Sequence, residues 1–99
     1  MKALAAIIDE NKRLTVSGVL NFETVVTLWK QSLLLLAKYP HVDIDLSKVT
    51  ASNSAGLALL VEWLKYGKQE NKAITFSGMP PQLQSIAKVA GIDLILSST

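Results

Sequence analysis

The sequence predicts a single α/β domain over residues 1–99, in the order β-β-α-β-α-β-α, with a mixed, mostly parallel sheet and helices mainly on one face. Three observations carry this. Short segments of alternating apolar and polar residues, at 14–18, 42–47 and 74–77, are separated by longer segments with helical periodicity. Helical crossovers between strands impose parallel pairing, whereas the first two strands lie close enough in sequence for an antiparallel hairpin. Strands covered by helices on both faces would be apolar without interruption; these alternate, so one face of the sheet is partly wet. Ninety-nine residues hold one core and no second.

The elements follow in order. Residues 4–8 and 14–19 read as two strands joined by the polar turn "DENKR". Asn21 caps a helix from Phe22 to about Lys38, with a core stripe of Phe22, Val25, Val26, Trp29, Leu33 and Leu36, and Pro40 stops it. The run "LLLL" at 33–36 makes the distal half of this helix apolar nearly all round. In "HVDIDLS", Val42, Ile44 and Leu46 share one face, and Asp43, Asp45 and Ser47 the other. A second helix runs to about Asn71. "AITFSG" is a fourth strand, and Pro80 and Pro81 suit the first turn of a third helix. That helix buries Leu83, Ile86, Ala87 and Ala90 and is capped by Gly91. "DLILSST" is a short tail with the character of a last strand.

Composition narrows the function. Hydrophobic residues make up 49% of the chain, and the mean hydropathy of +0.32 is high for a domain of this size. This fits a filled core plus an apolar surface kept for a partner. The longest apolar runs, "ALAAII" and "LLLLA", fall far short of the ~20 residues that span a bilayer. The N-terminal "MKALAAIIDENKR" runs into charges without a small-x-small cleavage site, so a cytoplasmic location is expected. There is no cysteine, and the single histidine, His41, stands beside Pro40 between two elements as a solvated loop residue. Ten Lys and Arg against eight Asp and Glu give a net charge of +2, scattered without a basic stripe, so nucleic acid is not expected as a partner. Neither a phosphate-binding loop nor a Gly-rich dinucleotide fingerprint is present. Asp43 and Asp45 invite an acid–base or metal reading, but they sit inside a strand pattern and read as a solvated sheet face. The expectation is a protein without catalytic residues, cofactor or metal.

The stretch "TASNSAGLALLVEW", Thr50 to Trp63, is the most informative. On a helical projection Leu57, Leu60, Val61 and Leu64 form a stripe that packs on the sheet. Leu59, Trp63 and Tyr66 form a second stripe, roughly 140° away, separated from the first by Ala58, Glu62 and Lys65 on one flank. Two readings are open. Either this second stripe is exposed as a partner surface, with aromatics that each bury ~150–250 Å², or the first or third helix covers Trp63. Ahead of the helix, Ser52, Asn53 and Ser54 are all N-cap types, and Ala55 and Gly56 leave backbone N–H groups uncovered at a positive helix end. Such a place suits a capping hydroxyl, an anion or a phosphorylated serine.

"DLSKVTASNSAGLALL" resembles the signature of STAS domains: a strand ending in Asp-Leu-Ser, a short loop, then Asp-Ser/Thr-small-Gly-Leu opening a helix. The likeness extends to "LTVSGVLN" and "ITFSGMPPQLQSIAKVAGI". It implies a STAS-like fold with helices largely on one face. Two branches of the family are similar. One is the small cytoplasmic STAS subunit of the Mla lipid-asymmetry ABC transporter, shared here in "LW" (Leu28, Trp29) and "GLALL" (Gly56 to Leu60). The resemblance to that branch implies a protein partner, the transporter ATPase, and contact with the membrane only through the complex. The other is the anti-sigma-factor antagonist, whose motif serine is phosphorylated by a partner serine kinase; Ser54 holds that position. Asn53 departs from the motif Asp that kinase-regulated members carry. The expected partner surface is Ser52, Asn53, Ser54, Ala55 and Gly56 in the loop, with Leu59, Trp63 and Tyr66 on the helix.

Overall fold

A computed structural model describes residues 5–92. Leu4 and the tail "DLILSST", both assigned to strands above, lie outside the described residues. The elements are β1 (Ala5–Glu10), β2 (Arg13–Leu20), α1 (Phe22–Leu36), β3 (His41–Ser52), α2 (Ser54–Gln69), β4 (Ala73–Ser77) and α3 (Pro81–Val89). They follow the expected order. The sheet runs β1-β2-β3-β4, antiparallel between the first pair and parallel across the other two.

The alternation in the strands sorts the two faces. Leu14, Val16, Val42, Ile44, Leu46 and Ile74 are buried in one core with the helices. On the opposite face Asp43 is already engaged: it pairs with Arg13 Nε at 3.1 Å and accepts from the hydroxyls of Thr75 and Ser77 at 3.1 and 3.0 Å. Asp45 Oδ1 accepts from the Ser47 backbone N–H at 2.9 Å. That bond holds its carboxyl below the ordinary 3.8. No group of three or more His, Cys, Asp or Glu is placed to hold a metal among the described residues.

The β1–β2 connection is tighter than the expected five-residue turn. Glu10 pairs with Arg13, leaving Asn11 and Lys12 as a two-residue loop with φ of 57° and 74°. Two successive positive φ values match the twist of a hairpin, and Asn accepts the left-handed region more readily than Lys. Lys12→Gly is therefore expected to stabilise the fold by about 0.5–1 kcal/mol. Urea unfolding curves check this; a lower midpoint would contradict it.

α1 begins as expected. The Asn21 side chain accepts from the N–H groups of Glu23 and Thr24 at 2.9 and 3.0 Å, and Thr24 Oγ1 accepts from Asn21 N–H at 2.9 Å. Its buried stripe, however, is Leu28, Ser32 and Leu36. Phe22 and Val26, assigned to the core from the sequence, are 70% and 53% exposed, while Val25, Trp29 and Leu33 are half-buried. The apolar arc of this helix is wider than the face that meets the core, and a polar residue occupies the middle of that face. The helix ends at Leu36 rather than Lys38, and a distant cation finishes it. Lys72 Nζ donates to the carbonyls of Leu36 and Tyr39, both at 2.9 Å, where the helix has no basic residue of its own.

α3 is capped as its sequence suggests. Gly91, with φ of 77°, follows Ala90, and the N–H groups of Gly91 and Ile92 return to Lys88 O and Ala87 O at 3.0 Å each. Leu83 and Ala87 are buried and Ile86 half-buried, but Ala90 is exposed, at the point where the chain turns away.

A candidate docking site at the start of α2

β3 does not stop at Ser47. It continues to Ser52, so the loop expected before the helix contracts to Asn53 alone. Its pairing with β2 absorbs the extra length through two register irregularities, between Thr15 and Ser17 and between Gly18 and Val19. Asn53 is fixed from both sides. Its N–H donates to Leu20 O at 3.2 Å, and its side chain accepts from Ala55 N–H at 2.8 Å as the cap of α2. Asn53 thus supplies the capping oxygen that Asp would, without the charge.

Ser52 is buried beneath it. Its hydroxyl donates to Asn53 O at 2.9 Å, and its N–H donates to Gln82 Oε1 in the first turn of α3, also at 2.9 Å. Gly56 lets α2 start this close to the sheet: a Cβ there would run into Ser52 Oγ and lie 3.1 Å from Leu20 Cβ. Gly56→Ala is expected to cost about 1–3 kcal/mol by overpacking. Thermal melting checks this; an unchanged midpoint would mean the end of β3 has room to move.

Ser54 is the first residue of α2 and is exposed. Since Asn53 provides the cap, the Ser54 hydroxyl is left facing outward at a positive helix end.

The second apolar stripe of α2 is not an exposed surface. Trp63 is wholly buried and Leu59 is 3% exposed. The indole Nε1–H donates to Ser32 Oγ at 2.8 Å, and that hydroxyl donates onward to Trp29 O at 2.7 Å. Phe76 approaches the same indole with ring centroids 6.4 Å apart. Of the two readings left open by the sequence, cover by the first helix is the one found. α2 packs against the sheet and against both other helices, so it buries more than one stripe. Tyr66 is half-buried and stands edge-on to Trp29 at 6.3 Å.

The residues of the expected partner surface differ in exposure. Ser52, Gly56 and Trp63 are buried and position the site, while Ala55 and Leu59, also buried, contribute to the wall of a groove between α1 and α2. Asn53 and Ser54 are exposed, and Tyr66 partly so. The outer face of α2 includes Ser54 together with Ala58, Glu62 and Lys65, the last three being the flank that separates the two stripes in the sequence reading. Beside it lie Phe22 and Val26 of α1, with a groove of about 280 Å³ between the two helices. Two signals bear on this rearrangement. Phe22 is the first residue after the cap, on an apolar arc too wide for one core face, and Ser32 is the acceptor that a buried Trp63 needs. A larger groove, about 590 Å³, runs along the opposite flank of α2 beside Val61, Leu64 and Ile74. Ile92, where the described residues end, forms part of its wall, and it does not include the Ser54 end.

Comparisons with known proteins agree with this architecture. The family described as "Mlab, STAS domain" matches residues 4–97. The chain is similar to one in the Acinetobacter MlaFEDB complex in an ATP-bound conformation, at 25% identity and a TM-score of 0.73, covering 91% of this chain and 93% of that one. It is similar to an anti-sigma factor antagonist from Mycobacterium paratuberculosis, at 24% identity and a TM-score of 0.72, covering 93% and 80%. The unphosphorylated anti-sigma factor antagonist SpoIIAA shares the fold at 8% identity and a TM-score of 0.71, covering 91% and 83%. A sequence comparison with curated proteins gives no significant match.

Proposed function

The chain belongs to the STAS domain family, and from that premise we propose that it is a non-catalytic accessory subunit that docks on the ATPase of a phospholipid-transporting, Mla-type ABC complex. The observation that carries this reading is the continuous surface of Ser54, Ala58 and Glu62 on α2 with Phe22 and Val26 on α1. It joins the family motif to exposed apolar side chains, the combination that a lasting protein contact requires. The likeness to a chain of the MlaFEDB complex supports the same direction. In this reading the subunit sits in the cytoplasm and reaches the inner membrane through its partner; no helix among the described residues is long and apolar enough to cross a membrane. Its mechanism is differential binding: contact through this surface favours the assembled state of the ATPase.

The outward Ser54 hydroxyl favours a second reading, an anti-sigma-factor antagonist switched by phosphorylation. A phosphate there adds about −1.5 to −2 charge. Asn53 speaks against it, because it keeps the cap but not the carboxylate of kinase-regulated members.

Affinity purification of the tagged chain from detergent-solubilised cells, with partners identified by mass spectrometry, separates the two. An ABC ATPase with its membrane subunit is the expected result. A serine kinase or sigma-regulatory protein instead would replace the first reading with the second.

A further inference from the structure

The groove between α1 and α2 has an uneven chemistry. Its apolar wall is formed by Phe22, Val25, Val26 and Trp29 of α1 and Ala55, Ala58 and Leu59 of α2, and its single charged residue is Glu62. Val26 and Phe22 are exposed, and Trp29 is held edge-on to Tyr66, so the apolar part is preformed rather than assembled on contact. Among the described residues Glu62 has one ionic partner, Lys65 Nζ at 3.4 Å, with both side chains more than half exposed. An exposed pair of this kind contributes little and exchanges readily for a better partner. The groove is about 280 Å³, room for one or two large side chains rather than a whole helix.

We infer that this groove receives a segment of the protein partner bearing an apolar side chain next to a basic one, the apolar group seated against Val26 and Trp29 and the cation meeting Glu62. The inference rests on the docking reading above and deepens it by stating what the partner must present. Charge complementarity selects the occupant. An acidic segment would face Glu62 with like charge, and a wholly apolar one would strip water from that carboxylate without compensation. The groove is continuous with Ser54 through Ala58, one turn along α2, so the same segment lies across the family motif.

The test measures binding of the source's own ABC transporter ATPase to the purified full chain by calorimetry, at low and high salt. Val26→Asp, Glu62→Gln and Glu62→Lys are compared with the unmodified chain, each variant first shown to melt normally. Val26 and Glu62 are exposed, so folding is expected to survive. Val26→Asp is expected to weaken binding by about a hundredfold. Glu62→Gln is expected to weaken it by about tenfold, and Glu62→Lys by more. The unmodified chain should lose affinity with salt more steeply than Glu62→Gln. If the unmodified chain binds but all three variants bind equally well, docking lies elsewhere, and this inference fails while the proposed function stands. If Val26→Asp fails to bind but the Glu62 variants bind as tightly as the unmodified chain, the basic side chain is wrong and the inference is overturned. If sedimentation shows a dimer that Val26→Asp dissociates, the occupant is a second copy, which also overturns it. If the ATPase does not bind the unmodified chain at all, the proposed function falls and takes the inference with it.

Discussion

Trp63→Ala is expected to destabilise the protein by about 3–5 kcal/mol, a large part of the ~5–15 kcal/mol available to a domain. The indole is wholly buried, and it joins α2 to α1 and to the sheet at one point. Removing it leaves a cavity in the shared core and strands the Ser32 hydroxyl without its donor. Ser32→Val separates these contributions. It keeps the indole but leaves its N–H with no acceptor, and should cost about 1–3 kcal/mol. Chemical denaturation of both variants checks the pair. A Trp63→Ala variant within 1 kcal/mol of the unmodified protein would contradict the buried assignment. The same result bears on function, because loss of partner binding in a Trp63 variant reports an unfolded surface and not a missing contact.

Ser54→Glu is expected to move stability and docking in opposite directions. A carboxylate in the first turn of α2 meets the positive helix end and should stabilise the fold by about 0.3–1 kcal/mol. The added bulk and charge fall on the exposed side, where a partner is proposed to sit, and ATPase binding should weaken by at least about tenfold. Ser54→Arg should weaken binding similarly while costing about 0.3–1 kcal/mol of stability. Melting curves and binding isotherms on both variants resolve the pattern. If both bind as the unmodified chain does, Ser54 does not face the partner.

Most of the fold is legible in the sequence because strand alternation and caps are local signals. Asn21, the Pro80–Pro81 pair and Gly91 each act within a few residues of where they stand, and each does in the structure what its type implies. What the sequence does not convey depends on neighbours far along the chain. The extent of β3 is set by its pairing with β2 as far as Ser52, so a segment that reads as loop becomes strand. α1 carries an apolar arc broad enough for two faces, and periodicity does not say which half turns inward. Ser32 decides it, through a bond to a residue one helix away. For the same reason the cap at Asn53 and the close approach at Gly56 are readable from local residue types, whereas the burial of the second stripe of α2 is not. Trp63 has the residue type of an interface, yet it lies under α1, Leu59 is buried in the wall of the groove between α1 and α2, and Phe22 and Val26 take the exposed position.

The proposed function places the start of α2 against an ABC ATPase. The most direct test replaces Ala58, exposed between Ser54 and Glu62, with a photo-crosslinking residue and irradiates cells that express the full chain. A crosslink to the transporter ATPase, lost when Ser54→Arg is added, is the predicted result. A crosslink at position 58 to a serine kinase or a sigma-regulatory protein, with the ATPase absent, would contradict it.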